Sequence, residues 1–171
     1  MTILTTERLT LRHLEFSDAV TLHHIHHEAG VWEYFTGSPP TSADGERAHI
    51  ERQLAFYREH GFGFWATVLR ETGELIGRCG LLSQVVDGRA ETEIADLLYP
   101  RFWGRGLASE AVRSIRDYAF QSLRCSRLVS LIHPDNVASK RVATAAGLAY
   151  DRNTRFKYMC VEVYCVERNC S

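Results

Sequence analysis

The residues from Tyr99 to Ala111, YPRFWGRGLASEA, hold the densest chemistry in the sequence. A strand ends there, a short loop passes Gly104 and Gly106, and a helix begins. A helix start leaves backbone N–H groups without partners and carries partial positive charge. Glycines let a ligand come close to that backbone. Together these suit an anion, most naturally a phosphate, and Arg101 and Arg105 add formal positive charge beside it. A plain Gly-x-Gly turn is the bland alternative. The dinucleotide fingerprint fits poorly, because the two preceding strands are joined by a hairpin and no βαβ unit opens the chain. The Gly-Lys-Ser/Thr of a P-loop is missing.

A second strand-to-helix corner follows at Leu131 to Gly147, LIHPDNVASKRVATAAG. Asp135 or Asn136 can cap the helix and Gly147 can end it, which explains these residues without any function. The succession of two such corners is not explained that way. If their strands are neighbours, both corners open at the same sheet end, one phosphate-like and one amide-rich. A long ligand with a pyrophosphate and an amide arm would suit them. Histidines 23, 24, 26 and 27 invite a metal reading, since His23 and His27 form an i,i+4 pair of the kind that binds zinc. No carboxylate-histidine triad is evident, so a solvated helix face is the better reading and no metal is expected.

The elements that must position these corners read as follows. Leu9 to Leu14 alternates as a strand. Ser17 or Asp18 caps a helix to about Glu28. The turn-rich Thr36 to Asp44 leads to a helix over about Gly45 to His60, with Ile50, Leu54 and Tyr57 on one face. Phe64 to Arg70 and Leu75 to Ser83 form a hairpin about Gly73. Asp87-Gly88 marks another turn before a strand over Glu91 to Tyr99. A helix spans about Arg105 to Phe120, Leu128 to Ile132 is a buried strand, and a helix opens near Asn136. Leu148 to Arg152 and Met159 to Val166 are the last strands. The order is β-α-α-β-β-β-α-β-α-β-β, an α/β protein with a mixed sheet, which excludes the all-α and all-β classes.

Composition sets limits on function. The chain has 171 residues, 45% hydrophobic and 24% charged. That is ordinary for one globular domain, which buries about 70% of its unfolded surface at this size. With 20 basic and 21 acidic residues the net charge is −1, a poor start for a nucleic-acid binder. No apolar run is long enough to span a membrane, and the N-terminus lacks a signal peptide's pattern. Five cysteines (Cys79, Cys125, Cys160, Cys165, Cys170) without CxxC spacing read as reduced thiols, hence a cytoplasmic protein.

Most of the chain resembles the GNAT superfamily of acetyl-CoA-dependent N-acetyltransferases, in particular its ribosomal-protein N-terminal acetyltransferase branch, the RimJ/RimL type. The resemblance is carried by TERLTLRHLEFSDA, GFGFWATVLRETGELIGRCGL, EIADLLYPRFWGRGLASEA and LVSLIHPDNVASKRVATAAGL, the last two being the specific parts. It implies a single domain over residues 1–171, a twisted mixed sheet with helices on both faces and a V-shaped opening between the family's fourth and fifth strands, here Glu91–Tyr99 and Leu128–Ile132. Acetyl-CoA would lie there, its pantetheine arm paired with the backbone near Leu97 and Leu98. The family's Gln/Arg-x-x-Gly-x-Gly/Ala signature fits in two registers, Arg101-Gly104-Gly106 or Trp103-Gly106-Ala108. The second is preferred because it sets Ala108 where the helix begins. Trp103, Gly104, Arg105, Gly106, Leu107, Ala108 and Ser109 are therefore the expected pyrophosphate residues. Asn136 matches the family Asn that contacts the arm, with Ser139 one turn further.

The same resemblance implies direct acetyl transfer to a bound primary amine, of a protein N-terminus or a small molecule, and is compatible with a homodimer. Glu93 matches the family's fourth-strand Glu and would be the base, directly or through water. A strand bulge is expected near Ala95-Asp96, and Asp96 faces away from Glu93 if the strand is regular. The family's Tyr, seven residues after the Asn, is Ala143 here. Ser139, Tyr150, Tyr158 or water must then protonate the leaving thiolate. An α-amine, with pKa about 7.7–8.0, needs less help from a base than a lysine at about 10.4, so the missing Tyr leans towards an α-amine. In the family the first two helices line the acceptor cleft, where His24, His27, Trp32 and Tyr34 would stand. The alternative is a non-catalytic acyl-CoA-binding sensor, favoured by Ala143 and opposed by Glu93, Ser139 and the intact loop.

Overall fold

A computed structural model describes residues 1–168; Cys170 lies outside the described residues. Eight strands and four helices follow in the order β1 (Thr2–Thr5), β2 (Leu9–Arg12), α1 (Ala19–His27), α2 (Ala43–His60), β3 (Phe64–Leu69), β4 (Leu75–Val86), β5 (Arg89–Leu98), α3 (Leu107–Gln121), β6 (Arg127–Ile132), α4 (Val137–Ala145), β7 (Ala149–Phe156) and β8 (Met159–Glu167). The strands form one sheet in the order β1-β2-β3-β4-β5-β6-β8-β7. Every neighbouring pair is antiparallel except β5 and β6. β1 precedes the first expected strand, so the family's fourth and fifth strands are β5 and β6.

Local chemistry sets the element ends. The strand expected to reach Leu14 stops at Arg12, whose guanidinium grips the Asp18 carboxylate at 2.7 and 2.8 Å across a tight turn. Ser42 caps α2 by accepting from the Gly45 N–H at 3.1 Å, and Gly61 ends it in the left-handed region. β1 has only four residues, too few to declare a period. β7 extends to Phe156 through the largely exposed DRNTR. Both are sheet edges, and β7 follows the register of β8 rather than any apolar alternation of its own.

The helices divide between the two faces. Trp65, Cys79, Leu81, Ile94 and Leu98 pack with Leu107, Ala111 and Ile115 of α3. On the other face Ala19, Leu22 and Ile50 cover Ala66 and Leu75, while Ile25 and Val31 meet Leu97.

This second face also buries charge. Arg78, only 4% exposed, donates from Nη1 to His49 Nε2 at 3.0 Å and stacks 4.2 Å from the Phe64 ring centroid. Burial and the neighbouring Arg78 push His49 down to about 3, so its ring is a neutral acceptor. Glu46, fully buried, meets His26 Nδ1 at 2.5 Å and supplies the negative charge opposing Arg78. Breaking a buried charge set is costlier than its net worth suggests, because one charge is left uncompensated. Glu46→Gln should therefore lose about 3 kcal/mol of unfolding free energy in urea. Arg152→Ala, which removes an exposed contact to Asp87, should change it by less than about 1 kcal/mol.

Candidate active site

β5 and β6 touch in register at one pair, Glu93 with Val129, and then diverge. β4 follows β5 one-for-one from Gly77 opposite Leu98 to Val86 opposite Arg89. The bulge expected near Ala95-Asp96 is therefore absent. The opening arises because β6 leaves β5, with β8 on its other side, and needs no inserted residue. Strict alternation then holds along β5. Glu93 and Leu97 face α1, while Ile94, Asp96 and Leu98 face α3. Asp96 thus lies on the opposite face from Glu93.

The backbone alternates too. The Tyr99 N–H goes to the Ile76 carbonyl on β4 at 2.8 Å. The Leu97 backbone groups therefore point to β4, and those of Asp96 and Leu98 point into the opening. Of the two leucines expected to offer backbone there, Leu98 does so, and Asp96 takes the place of Leu97.

The first corner begins with one 3-10 turn, Pro100–Phe102. Gly104 and Gly106 both have positive φ, +73° and +74°, so both positions need glycine. Gly106 is the N-cap of α3, and its carbonyl takes the Glu110 N–H at 3.0 Å. The N–H groups of Leu107, Ala108 and Ser109 in the first turn are left open by the helix. Trp103 turns back, and its indole Nε1 donates to the Leu98 carbonyl at 2.7 Å. Arg101 is drawn away to Glu74 and lies over the Tyr99 ring. Arg105 lies over the Phe102 ring, 5.2 Å from its centroid.

Sequence reasoning missed what braces this loop. Glu110 Oε1 accepts from Thr6 Oγ1 at 2.6 Å and from the Arg8 N–H at 2.8 Å, and its Oε2 accepts from Arg8 Nε at 2.6 Å. Arg8 Nη1 also donates to the Arg105 carbonyl at 2.9 Å. The segment TERL was visible as a resemblance, but nothing in its spacing placed it at a corner about a hundred residues away.

At the second corner Asn136 Oδ1 accepts from the Ser139 N–H at 3.1 Å, which leaves the Asn136 amide N–H groups unused by the cap. Ala143, 3% exposed, packs in the core with Leu148. The link between α1 and α2 crosses from one side of the opening to the other. Glu28 accepts from Tyr99 Oη at 3.0 Å, the Tyr34 ring stacks 5.1 Å from His133, and the Gly37 N–H meets Tyr158 Oη. Trp32, held by Nε1 to the Gly37 carbonyl at 3.1 Å, lies edge-on to His26. Trp32 and Tyr34 belong to this crossing, whereas His24 and His27 are exposed. The His23 and His27 rings are 4.3 Å apart, and among the described residues no three His, Cys, Asp or Glu gather to hold a metal.

Glu93 sits where the strands part, 8% exposed. Burial pushes its carboxyl up to about 7, against the pull of Gln84, the Leu131 backbone and the positive Lys157. Gln84 Nε2 donates to Glu93 Oε2 at 2.8 Å. Burial also raises Asp96 to about 6, with no opposing partner.

Residues 8–149 match the acetyltransferase (GNAT) domain. The chain is 36% identical to an uncharacterized N-acetyltransferase of Bacillus licheniformis, over 81% of this chain and 78% of that one. It is 32% identical to the uncharacterized protein YkkB of Bacillus subtilis, over 90% and 89%. An acetyltransferase structure from Agrobacterium tumefaciens is 31% identical with a TM-score of 0.81, covering 98% of this chain and 95% of that one. RimJ of Mycobacterium smegmatis, solved with CoA-disulfide, shares the fold at 18% identity with a TM-score of 0.79, over 93% and 81%.

The raised Glu93 pKa has a stability consequence. A carboxyl raised on folding favours the folded state below its unfolded value, and that contribution is lost as pH rises through the folded value. For Glu93 the window runs from 4.5 to about 7. Glu93→Gln cannot ionise, so its stability relative to the parent protein should rise by about 3 kcal/mol across that window. Urea unfolding of both proteins at a series of pH values checks this.

Proposed function

The chain belongs to the GNAT acetyltransferase family and is an N-acetyltransferase; from that premise we propose that it moves the acetyl group of acetyl-CoA directly to an α-amine or a similarly weakly basic amine, as one cytoplasmic catalytic domain. The observation that carries this is the parting of β5 from β6, with a buried carboxyl on one face and two helix starts at the same end. The open N–H groups of Leu107, Ala108 and Ser109 suit a pyrophosphate, and Gly104 and Gly106 let it approach. The free amide N–H groups of Asn136 and the β5 backbone at Asp96 and Leu98 suit an amide-bearing arm. The CoA-bound relative of like fold supports the same ligand.

The donor supplies a thioester carbonyl open to attack. Glu93 takes a proton from the bound ammonium, directly or through water, so that the nitrogen lone pair can attack. The new C–N bond forms as the C–S bond breaks. A backbone N–H in the opening, from Asp96 or Leu98, stabilises the negative charge that builds on the carbonyl oxygen. The sulfur leaves as thiolate and gains the second proton that the attacking nitrogen sheds on becoming an amide. Ser139, in the first turn of α4, is the residue proposed to relay it, giving its hydroxyl proton to the sulfur and taking the nitrogen's in return. Tyr150 is on the edge strand β7, and Tyr158 is tied to Gly37.

Acceptor basicity follows from Glu93. A carboxyl near 7 takes a proton from an α-ammonium at about 8 for an uphill step of one pKa unit, about 1.4 kcal/mol. From a lysine ammonium at about 10.4 the step exceeds three units, about 5 kcal/mol. A protein N-terminus or a small-molecule α-amine is therefore favoured over a lysine side chain.

A thiol-release assay with acetyl-CoA against N-terminal peptides, small amines and lysine-only peptides tests this. Release is expected with the first two classes. Tight CoA binding with no release for any acceptor would favour the sensor reading that Ala143 suggests. Glu93→Gln should lower kcat/KM by about 100-fold or more. Arg8→Ala, which loosens the pyrophosphate loop, should raise KM for acetyl-CoA about tenfold with kcat unchanged.

A further inference from the structure

We propose that Gln84 is a positioning residue for the transfer reaction: from β4 it holds the Glu93 carboxylate where β5 and β6 part, and thereby sets the proton affinity of the base. This rests on Glu93 being the base.

Three observations carry it. Gln84 Nε2 donates to Glu93 Oε2 at 2.8 Å, in a diagonal across the β4–β5 ladder in which Gln84 faces Glu91 and Leu82 faces Glu93. β6 leaves β5 immediately beyond Val129, where the Leu131 backbone joins Gln84 in countering the effect of burial on the carboxyl. Glu93 is 8% exposed, which leaves little room for water to replace the Gln84 donor. Gln84 is thus the side chain that fixes the carboxylate. Lys157, on the β7–β8 turn, is the charged group that acts on it.

Gln84 suits this role because its amide is a neutral donor. It stabilises the carboxylate, so burial does not drive the base permanently into its protonated form. It also brings no full charge, which would hold the carboxylate ionised and too weak to take a proton. A hydrogen bond to a charged group that is lost on burial shifts a carboxyl by about one pKa unit or more.

The test compares Gln84→Met, which keeps the bulk and loses the donor, with Gln84→Lys, which replaces it by a cation. The acid limb of kcat/KM against pH reports the base of the free enzyme. It should move up by about one pH unit in Gln84→Met and below the parent value in Gln84→Lys. Thermal melting and CoA affinity should stay close to the parent's, which verifies that both variants are folded. A 13C carboxyl titration of Glu93 should show the same opposite shifts without any turnover. If Glu93→Gln abolishes the acid limb but neither Gln84 variant moves it or the Glu93 titration, Gln84 has no such role and the proposal is overturned. If Glu93→Gln leaves the limb in place, the base reading fails, and the catalytic part of the proposal fails with it. A purely structural Gln84 would depress activity in both variants without opposite shifts.

Discussion

The parting of β5 from β6 after a single in-register pair is the constraint on which the rest of the molecule depends. Inside a sheet, every backbone N–H and carbonyl expects a partner, and leaving one buried and unpaired costs about 1–3 kcal/mol. Opening the sheet in its middle creates a row of such groups on both inner edges. The protein meets some of them with its own side chains. The Trp103 indole takes the Leu98 carbonyl. The others face the opening at Asp96 and Leu98 and suit a ligand with amide groups. Two outer supports keep the sheet from closing or tearing there. β4 runs continuously alongside β5, and β8 runs continuously alongside β6.

The same economy governs charge. A net charge of −1 gives no broad field for a polyanion, so the proposed phosphate would be held locally by the backbone N–H groups at the start of α3. An acidic residue in that first turn would oppose a bound phosphate unless it were neutralised. Glu110 is such a residue, and it is spent on Arg8, Thr6 and the Arg8 backbone. The carboxylate thereby becomes a clasp that ties the loop between β1 and β2 to the helix. Arg8 also reaches the Arg105 carbonyl within the glycine loop. The pair stiffens the corner while leaving its open N–H groups to dominate the local potential.

Both corners and nearly all the elements were legible in the sequence, because glycine at positive φ, an Asn cap and helical apolar spacing are local signals. Gly104 and Gly106 take positive φ in the loop, and Asn136 caps α4. The rest depends on tertiary pairing. β1 and most of β7 are edge strands that acquire their conformation from β2 and β8. Arg101 carries the right charge for the phosphate corner, but Glu74 on the neighbouring turn claims it. The bulge is implied by family resemblance alone, and no residue spacing within β5 bears on it. Arg8 and Gln84 lie far from their partners in sequence or a turn away across a hairpin, and neither belongs to a motif with a period.

Glu93 brings these threads together, since the carboxyl set in the sheet where it opens is also the one proposed as the base. As a structural group it is best as an anion, accepting from Gln84. As a buried group it is best neutral. Burial outweighs the donors and raises its pKa from 4.5, while the donors keep it to about 7. A group balanced in this way exchanges a proton at small cost in either direction, the property a base needs. A more exposed carboxylate would remain near 4.5 and pull a proton from an ammonium only weakly. A buried one without donors would be protonated before the amine arrived. That balance follows from the place the carboxyl occupies: where the two strands part it is buried by the sheet and still meets the Gln84 amide.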